Sequence, residues 1–108
     1  MLFFKPTAIG SDTVTARFDA LDGECCLGSC ELWIHDETAD VTTITADDAE
    51  VGEGLVRAAL SFAANRGVYM AVCTAKDAEA VTARLPFEKR GGVLGNDIPT
   101  LLTGCCGG

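Results

Sequence analysis

Two glycines and four acidic residues stand together in the stretch TADDAEVGEGLVRAAL, residues 45–60. A glycine-bearing turn before a helix can bind phosphate, because the first N–H groups of a helix lack internal partners and the helix dipole is positive there. The carboxylates of Asp47, Asp48, Glu50 and Glu53 oppose this use, since they stabilise the dipole themselves and repel an anion. The stretch therefore supports two interpretations, a phosphate-binding loop of backbone N–H groups and a helix start capped by acidic side chains.

Six cysteines form the second set of residues with chemical potential. Cys26 and Cys30 lie on one face of a predicted strand about 13 Å apart, too far to share one zinc ion if the strand is regular. Cys73 lies in an apolar run, and we expect it to be a core thiol. The thiols of Cys105 and Cys106 could bind soft metals or be oxidised. We expect mainly packing roles and no bound metal, with a thiol-based metal or redox protein as an alternative.

Three further side chains are candidates for proton transfer. His35 is the only histidine, and we expect an ion pair with Asp36 rather than a proton shuttle or a metal ligand. Glu37 or Asp47 could act as a general base if it were buried, but a carboxylate beside a turn is ordinarily solvated. The pattern identifies no catalytic side chain.

Length and charge restrict the class of protein. A chain of 108 residues with 48% hydrophobic content forms one domain, residues 1–108, and we expect residues 104–108 to be a flexible Gly/Cys tail. The net charge of −8 opposes binding to nucleic acid or to an anionic membrane. The N-terminus lacks the pattern of a signal peptide and no apolar run reaches membrane-spanning length. These features predict a cytoplasmic protein with reduced thiols.

The first half of the chain has the patterns of three antiparallel strands. The segment TVTARFDA, residues 13–20, alternates apolar and polar side chains, and CCLGSCELWIH, residues 25–35, follows a turn. Its alternation places Cys26, Gly28, Cys30, Leu32 and Ile34 on one face. The third segment, VTTITA at residues 41–46, is rich in β-branched residues that suit strands.

From about residue 50 the apolar period changes to that of a long helix, which Gly67 is expected to end. The apolar run VYMAVCT, residues 68–74, predicts a buried strand, and KDAEAVTARL, residues 76–85, predicts a short helix. The segment GGVLGNDIPTLL could add a last strand, although its glycines and Pro99 oppose one. The strand, helix, strand order predicts a crossover and therefore a parallel pair in the sheet.

This order of elements resembles the GNAT family of acyl-CoA-dependent N-acyltransferases without its N-terminal strand and helices. The run from Val51 to Val56 corresponds to the family's phosphate loop, Arg or Gln, x, x, Gly, x, Gly or Ala. The runs DAEA at 77–80 and FEKRGG at 87–92 resemble the family's Asn-x-x-Ala and Tyr-Glu-Lys-Leu-Gly-Phe. The resemblance covers roughly residues 13–100 and implies an α+β fold. The implied sheet is mixed but mostly antiparallel, with one long and one short helix.

The resemblance also implies a ligand and a site. Acetyl-CoA or another acyl-CoA would be held by the backbone N–H groups of Gly52, Glu53, Gly54 and Leu55. A strand N–H near Ala46 would polarise the thioester carbonyl, and an amine of unknown identity would attack it without a side-chain nucleophile. The implied function is acyl-CoA binding or N-acetyltransferase activity.

Three departures from the family pattern oppose catalysis. Phe87 replaces the motif tyrosine, which in many members protonates the departing thiolate. Val51 replaces a cationic or amide side chain near the pyrophosphate, and Val56 places a branched side chain where the backbone should approach the phosphate. The alternative function is therefore a non-enzymatic interaction module.

The segment MLFFKPTAIGSD is too short for the two helices that cover one sheet face in the family. Apolar side chains such as Val14, Leu27 and Trp33 would then meet water, which proteins avoid by pairing such a surface. We therefore expect a homodimer with Trp33 at or near the interface, in which Cys25 is also buried.

Overall fold

The computed structural model of the chain describes residues 2–8, 14–46, 48–76, 85, 87–90 and 93–104. Within these residues the strands are β1 (Leu2–Ala8), β2 (Ala16–Asp22), β3 (Cys25–His35), β4 (Thr38–Ala46), β5 (Met70–Cys73), β6 (Glu88–Arg90) and β7 (Val93–Asp97). The helices are α1 (Ala49–Asn65) and α2 (Ile98–Gly104). Neither of these two helices has the length and hydrophobicity that a membrane crossing requires.

All seven strands form one sheet in the order β1-β2-β3-β4-β5-β7-β6. Neighbouring strands are antiparallel except β4 and β5, which are parallel and are joined through α1. The predicted α+β fold, with a mixed and mostly antiparallel sheet and one long helix, is confirmed. Of the short helix predicted over residues 76–85, residues 77–84 lie outside the described part of the chain.

Of the N-terminal elements predicted to be missing, the strand is present. β1 pairs with β2 from Leu2↔Asp22 to Ala8↔Ala16. Lys5 and Pro6 obscure its pattern in the sequence, but a proline is compatible with an edge strand because its missing N–H can face away from the partner. Seven residues, 9–15, separate β1 from β2 in the sequence, and residues 9–13 lie outside the described part of the chain.

The end of the chain also differs from the sequence pattern. The segment considered for a last strand divides into β7 and α2. The side chain of Asp97 accepts hydrogen bonds from the Thr100 N–H, at 3.3 Å, and from Thr100 Oγ1, at 2.8 Å. This cap starts α2, and Pro99 is tolerated because it lies in the first helical turn, where N–H groups lack internal partners.

The core lies between α1 and one face of the sheet. The buried strand side chains alternate along β2, β3, β4 and β5: Ala16, Phe18, Ala20, Cys30, Leu32, Ala39, Val41, Ala71 and Cys73. The buried stripe of α1 is Val51, Leu55, Val56, Ala59, Leu60 and Ala63. The predicted alternation of β3 is confirmed from Gly28 to Leu32, since Gly28, Cys30 and Leu32 are buried while Ser29 and Glu31 are half-buried. It is wrong for Cys26, which is exposed, because the β2–β3 register shifts between Gly28 and Cys26 and Leu27 packs against the core instead.

Both ends of α1 are defined by local hydrogen bonds. At its start, Asp48 Oδ1 accepts from the Val51 N–H at 2.8 Å. At its end, Gly67 has a φ of +84°, and the N–H groups of Gly67 and Val68 donate to the carbonyls of Ala64 and Ala63. A left-handed conformation costs glycine little, so the predicted stop at Gly67 is confirmed with its physical reason.

Gly54 allows α1 to pack closely against β1. A Cβ atom at Gly54 would overlap the ring of Phe4, which packs against the core from β1. A helical glycine ordinarily costs about 1 kcal/mol relative to alanine. The close contact with the Phe4 ring therefore offers a structural reason for a glycine at this position, independent of any ligand.

We expect Gly54→Ala to yield none of the usual gain of about 1 kcal/mol in the wild-type background and to yield it in the Phe4→Ala background. The free energies of unfolding from urea titrations of the four proteins give the coupling. Ser61→Ala, at an exposed position of the same helix, is the control and should have equal effects in both backgrounds. An equal gain from Gly54→Ala in both backgrounds would show that the Phe4 ring imposes no constraint.

Candidate functional site

The parallel pairing of β4 with β5 ends halfway along β4. It runs from Thr38↔Met70 to Val41↔Cys73. The N–H groups of the next two residues, Thr74 and Ala75, both donate to the Val41 carbonyl, at 3.1 and 3.2 Å. Beyond Val41, β4 continues to Ala46 and, within the described part of the chain, pairs only with β3. We call residues 42–46 the open edge, and the space beside them the gap.

A β-bulge in β4 lies where the gap begins. The register runs from Glu31↔Thr43 to Leu32↔Val41, so Thr42 is an extra residue without a partner in the register. The Thr42 hydroxyl lies 3.5 Å from the Glu31 carbonyl. A bulge bends its strand and increases the local twist. The bulge therefore accounts for the divergence of β4 from β5 at this point.

A buried acidic side chain fixes the point of divergence. Asp40 is 7% exposed, and its Oδ1 accepts a hydrogen bond from the Thr74 hydroxyl at 2.9 Å. Thr74 is thus held to β4 twice, through its side chain and through its N–H to Val41. Sequence reasoning missed Asp40, because the third strand was predicted to start at residue 41. The available signal was the alternation in TADVTTITA, which continues the strand pattern back to Thr38.

The structure places the predicted phosphate-binding residues in the first two turns of α1. The Gly52 N–H donates to the Asp48 carbonyl at 3.1 Å, and Glu53, Gly54 and Leu55 follow inside the helix. N–H groups at such positions bond to carbonyls four residues earlier. The Val51 N–H donates to the Asp48 side chain. The helix-start donors that remain are therefore the N–H groups of residues 49 and 50. Phosphate contact by residues 52–55 stays a prediction.

Ala46 ends β4 beside Gly28 of β3, two residues before the helix cap. The structure therefore brings Ala46, the open edge and the start of α1 together at one end of the sheet. Whether an N–H in this region polarises a carbonyl stays a prediction. Asp47, a candidate base in the same connection, lies outside the described residues.

His35 and Glu37 lie at the other end of β4. The predicted contact of His35 is confirmed, with 3.5 Å between its Nδ1 and Asp36 Oδ2, and its ring stacks on Trp33. Asp36 and Glu37 form the turn between β3 and β4, both with positive φ. Because β4 has nine residues, this turn lies roughly 25 Å from Ala46 along the strand. Neither His35 nor Glu37 belongs to the gap.

The four cysteines in the described part of the chain divide into a buried pair and an exposed pair. Burial raises the pKa of Cys30 to about 12, with a smaller contribution from Cys73, and raises the pKa of Cys73 to about 11. The Cys30 thiol lies 3.5 Å from the Leu55 carbonyl. The predicted core role of Cys73 is confirmed. Cys25 and Cys26 are exposed at the start of β3.

No group of three or more metal-ligating side chains is present in the described part of the chain. Cys105 and Cys106 lie outside it, and so does the rest of the predicted tail except Gly104, which ends α2. The metal content of the protein therefore stays a prediction.

Val14, Leu27 and Trp33, which led us to expect a dimer, are half-buried within the single chain. Leu27 also packs against the core. Self-association through Trp33 stays a prediction.

We expect the free energy of unfolding to fall as the pH rises above about 9. Below that value both buried thiols are protonated in the folded and unfolded chains, whereas at higher pH the unfolded chain loses protons that the folded chain keeps until its raised pKa is reached. Replacing both residues by alanine should remove roughly 3 kcal/mol of this loss at pH 10. Urea titrations at pH 8, 9 and 10 measure the slope, and Cys25→Ser is the exposed control. Equal slopes for wild type and the double variant would contradict the burial of these thiols.

Several solved structures of acetyltransferases share this fold. The chain matches the PaiA N-acetyltransferase from Thermoplasma acidophilum, solved in complex with coenzyme A, with a TM-score of 0.59 and 14% identity over 75% of this chain. It matches a probable acetyltransferase from Staphylococcus epidermidis with a TM-score of 0.61 and 13% identity, covering 76% of this chain and 67% of that one. It matches the ribosomal-protein-S18-alanine N-acetyltransferase from Escherichia coli with a TM-score of 0.64 and 12% identity, covering 84% of this chain and 72% of that one.

This likeness concerns structure alone. No protein-family model and no curated protein matches the sequence. The chain spans 59% of the length of the PaiA enzyme. At identities of 12–14% the three matches show a common fold and leave substrates open. The sheet order, the crossover through α1 and these matches together show that the chain has the fold of the GNAT N-acetyltransferases.

Proposed function

We propose that the chain binds an acyl-CoA in the gap between β4 and β5 and transfers the acyl group to an amine. The observation that carries the proposal is the end of the β4–β5 pairing at Val41, which leaves the open edge beside the start of α1. The fold, which it shares with acetyltransferases, supports the same proposal.

An open strand edge suits an extended ligand that carries amide groups. Residues 42–46 pair with β3 on one side, and a strand of this length presents backbone N–H and C=O groups on its other side as well. The pantetheine arm of an acyl-CoA is a thin chain with two amides, so it can pair with such an edge much as an added strand does. The bulge at Thr42 would then lie where the arm enters the fold.

The proposed reaction is direct transfer. The amine nitrogen forms a bond to the thioester carbonyl carbon, the C–S bond breaks, and the proton from the amine passes through solvent to the departing thiolate. The part of the protein in this step is to position the thioester and to polarise its carbonyl through a strand N–H of the open edge. Phe87 packs against the core and has no proton to donate to the thiolate. Tyr69 is 60% exposed and lies just before the start of β5, at the end of that strand opposite the gap.

A non-enzymatic interaction module is the second candidate, and the acidic start of α1 favours it. Asp48 caps the helix, Glu50 is exposed in the first turn, and Glu53 lies 3.5 Å from Arg57. These carboxylates repel a diphosphate. An extended peptide segment could pair with the open edge without meeting that repulsion.

Titration of the labelled protein with acetyl-CoA tests the proposal, with amide chemical shifts as the readout and calorimetry in parallel. We expect shift changes concentrated at residues 42–46 and 74–76, because these residues border the gap. Residues 35–38, at the far end of β4, are the internal control.

A matched pair of variants adds a test of the geometry. Thr74→Val removes the hydrogen bond to Asp40 and should weaken acetyl-CoA binding several-fold, since the point of divergence loosens. Thr38→Val, at the other end of the same strand pair, should leave binding unchanged. Absence of heat and of shift changes at millimolar acetyl-CoA would remove the acyltransferase proposal and leave the interaction module.

A further inference from the structure

We propose that the gap selects the donor by its neutral pantetheine thioester arm and that the nucleotide diphosphate adds no affinity. The proposal rests on the proposed function and specifies its donor. The chemical class of donor is then any S-acyl pantetheine, whether or not a nucleotide is attached.

One of the usual donors of a helix start, the Val51 N–H, is occupied here by the protein itself. Asp48 Oδ1 accepts a hydrogen bond from the Val51 N–H at 2.8 Å, and the Asp48 carbonyl accepts one from the Gly52 N–H at 3.1 Å. The space that Gly54 leaves beside the helix by lacking a side chain is filled by the Phe4 ring, not left for a ligand. A diphosphate arriving at this end would find the N–H groups of residues 49 and 50 but not that of Val51.

The charge at this end opposes a diphosphate as well. Asp48 and Glu50 are exposed in the cap and first turn, and Glu53 follows one turn later. Arg57, the basic residue of the same helix face, lies 3.5 Å from Glu53, so part of its charge is already balanced. In a protein of net charge −8, a nucleotide with three phosphates is repelled, whereas a neutral thioester arm is not.

The open edge provides what a neutral arm needs. The strand continues for five residues beyond Val41, residues 42–46, with Thr43 and Thr45 exposed. Amide-to-edge hydrogen bonds depend on backbone geometry and not on cations, so the same affinity is available to S-acetylpantetheine and to acetyl-CoA. On the β5 side of the gap, the exposed Lys76 follows Ala75 and is the cation to be tested directly.

The experiment compares S-acetylpantetheine, 3′-dephospho-acetyl-CoA and acetyl-CoA on the full chain by amide-shift titration at low and high salt. We expect acetyl-CoA to bind no more tightly than S-acetylpantetheine at low salt. Added salt should strengthen acetyl-CoA binding, because it screens like-charge repulsion, and should leave S-acetylpantetheine unchanged.

Two charge variants sharpen the comparison. Asp48→Asn keeps a capping side chain and Glu50→Gln keeps the shape, and each should tighten acetyl-CoA binding by about two- to five-fold without changing S-acetylpantetheine. Asp36→Asn makes the same charge change at the far turn and is the matched control. It should change the affinity for neither acetyl-CoA nor S-acetylpantetheine. Unchanged acetyl-CoA affinity in both charge variants would contradict the repulsion.

The outcomes separate the two proposals. Acetyl-CoA that binds tenfold more tightly than S-acetylpantetheine would overturn the donor proposal and leave the proposed function intact. The same conclusion follows if Lys76→Gln weakens the binding of acetyl-CoA but not that of S-acetylpantetheine, since Lys76 would then be a residue that binds the phosphates. If none of the three compounds binds, both proposals fail.

Discussion

The Val41 carbonyl accepts two N–H groups in succession, from Thr74 and from Ala75, and the architecture of the candidate site depends on that arrangement. A regular parallel pair would carry its ladder onward and close the sheet. Here one acceptor serves two consecutive residues, so the pairing with β5 ends at Val41 while β4 continues to Ala46. The bulge at Thr42 and the hydrogen bond from Thr74 to Asp40 act at the same place, and together they make the divergence a built feature of the sheet.

The start of α1 shows how folding and ligand binding compete for the same groups. The Asp48 cap stabilises the helix by about 1 kcal/mol, and α1 packs a buried apolar stripe against the sheet, so the cap contributes to the fold directly. The same carboxylate occupies a donor and adds negative charge where a diphosphate would lie. Gly54 is similar, because close packing on Phe4 explains it without a ligand. A glycine and acid pattern that resembles a phosphate loop can therefore be produced by helix capping and packing alone.

The sequence predicted the elements whose pattern has a single physical cause. Alternation from Gly28 to Leu32 in β3 arises from burial of one sheet face, and the end of α1 at Gly67 arises from a left-handed backbone, so both were predicted correctly. β1 was missed because Lys5 and Pro6 interrupt its pattern, and an edge strand needs less hydrophobicity than a central one. The bulge and the partner of Asp40 could not be predicted, because register shifts and the partner of a buried carboxyl group depend on strands distant in the sequence. Fold class was thus accessible from the sequence, whereas the position of the gap was not.

The pairing of β4 with β5 ends at Val41, and through-space contacts between backbone protons measure this separation directly. A nuclear Overhauser spectrum of the labelled, ligand-free protein should contain cross-strand contacts for the four pairs from Thr38–Met70 to Val41–Cys73. It should contain none between the backbone protons of residues 43–46 and those of residues 74–76. A continuous ladder of contacts between these two segments would show that the sheet is closed there, and it would contradict the existence of the gap.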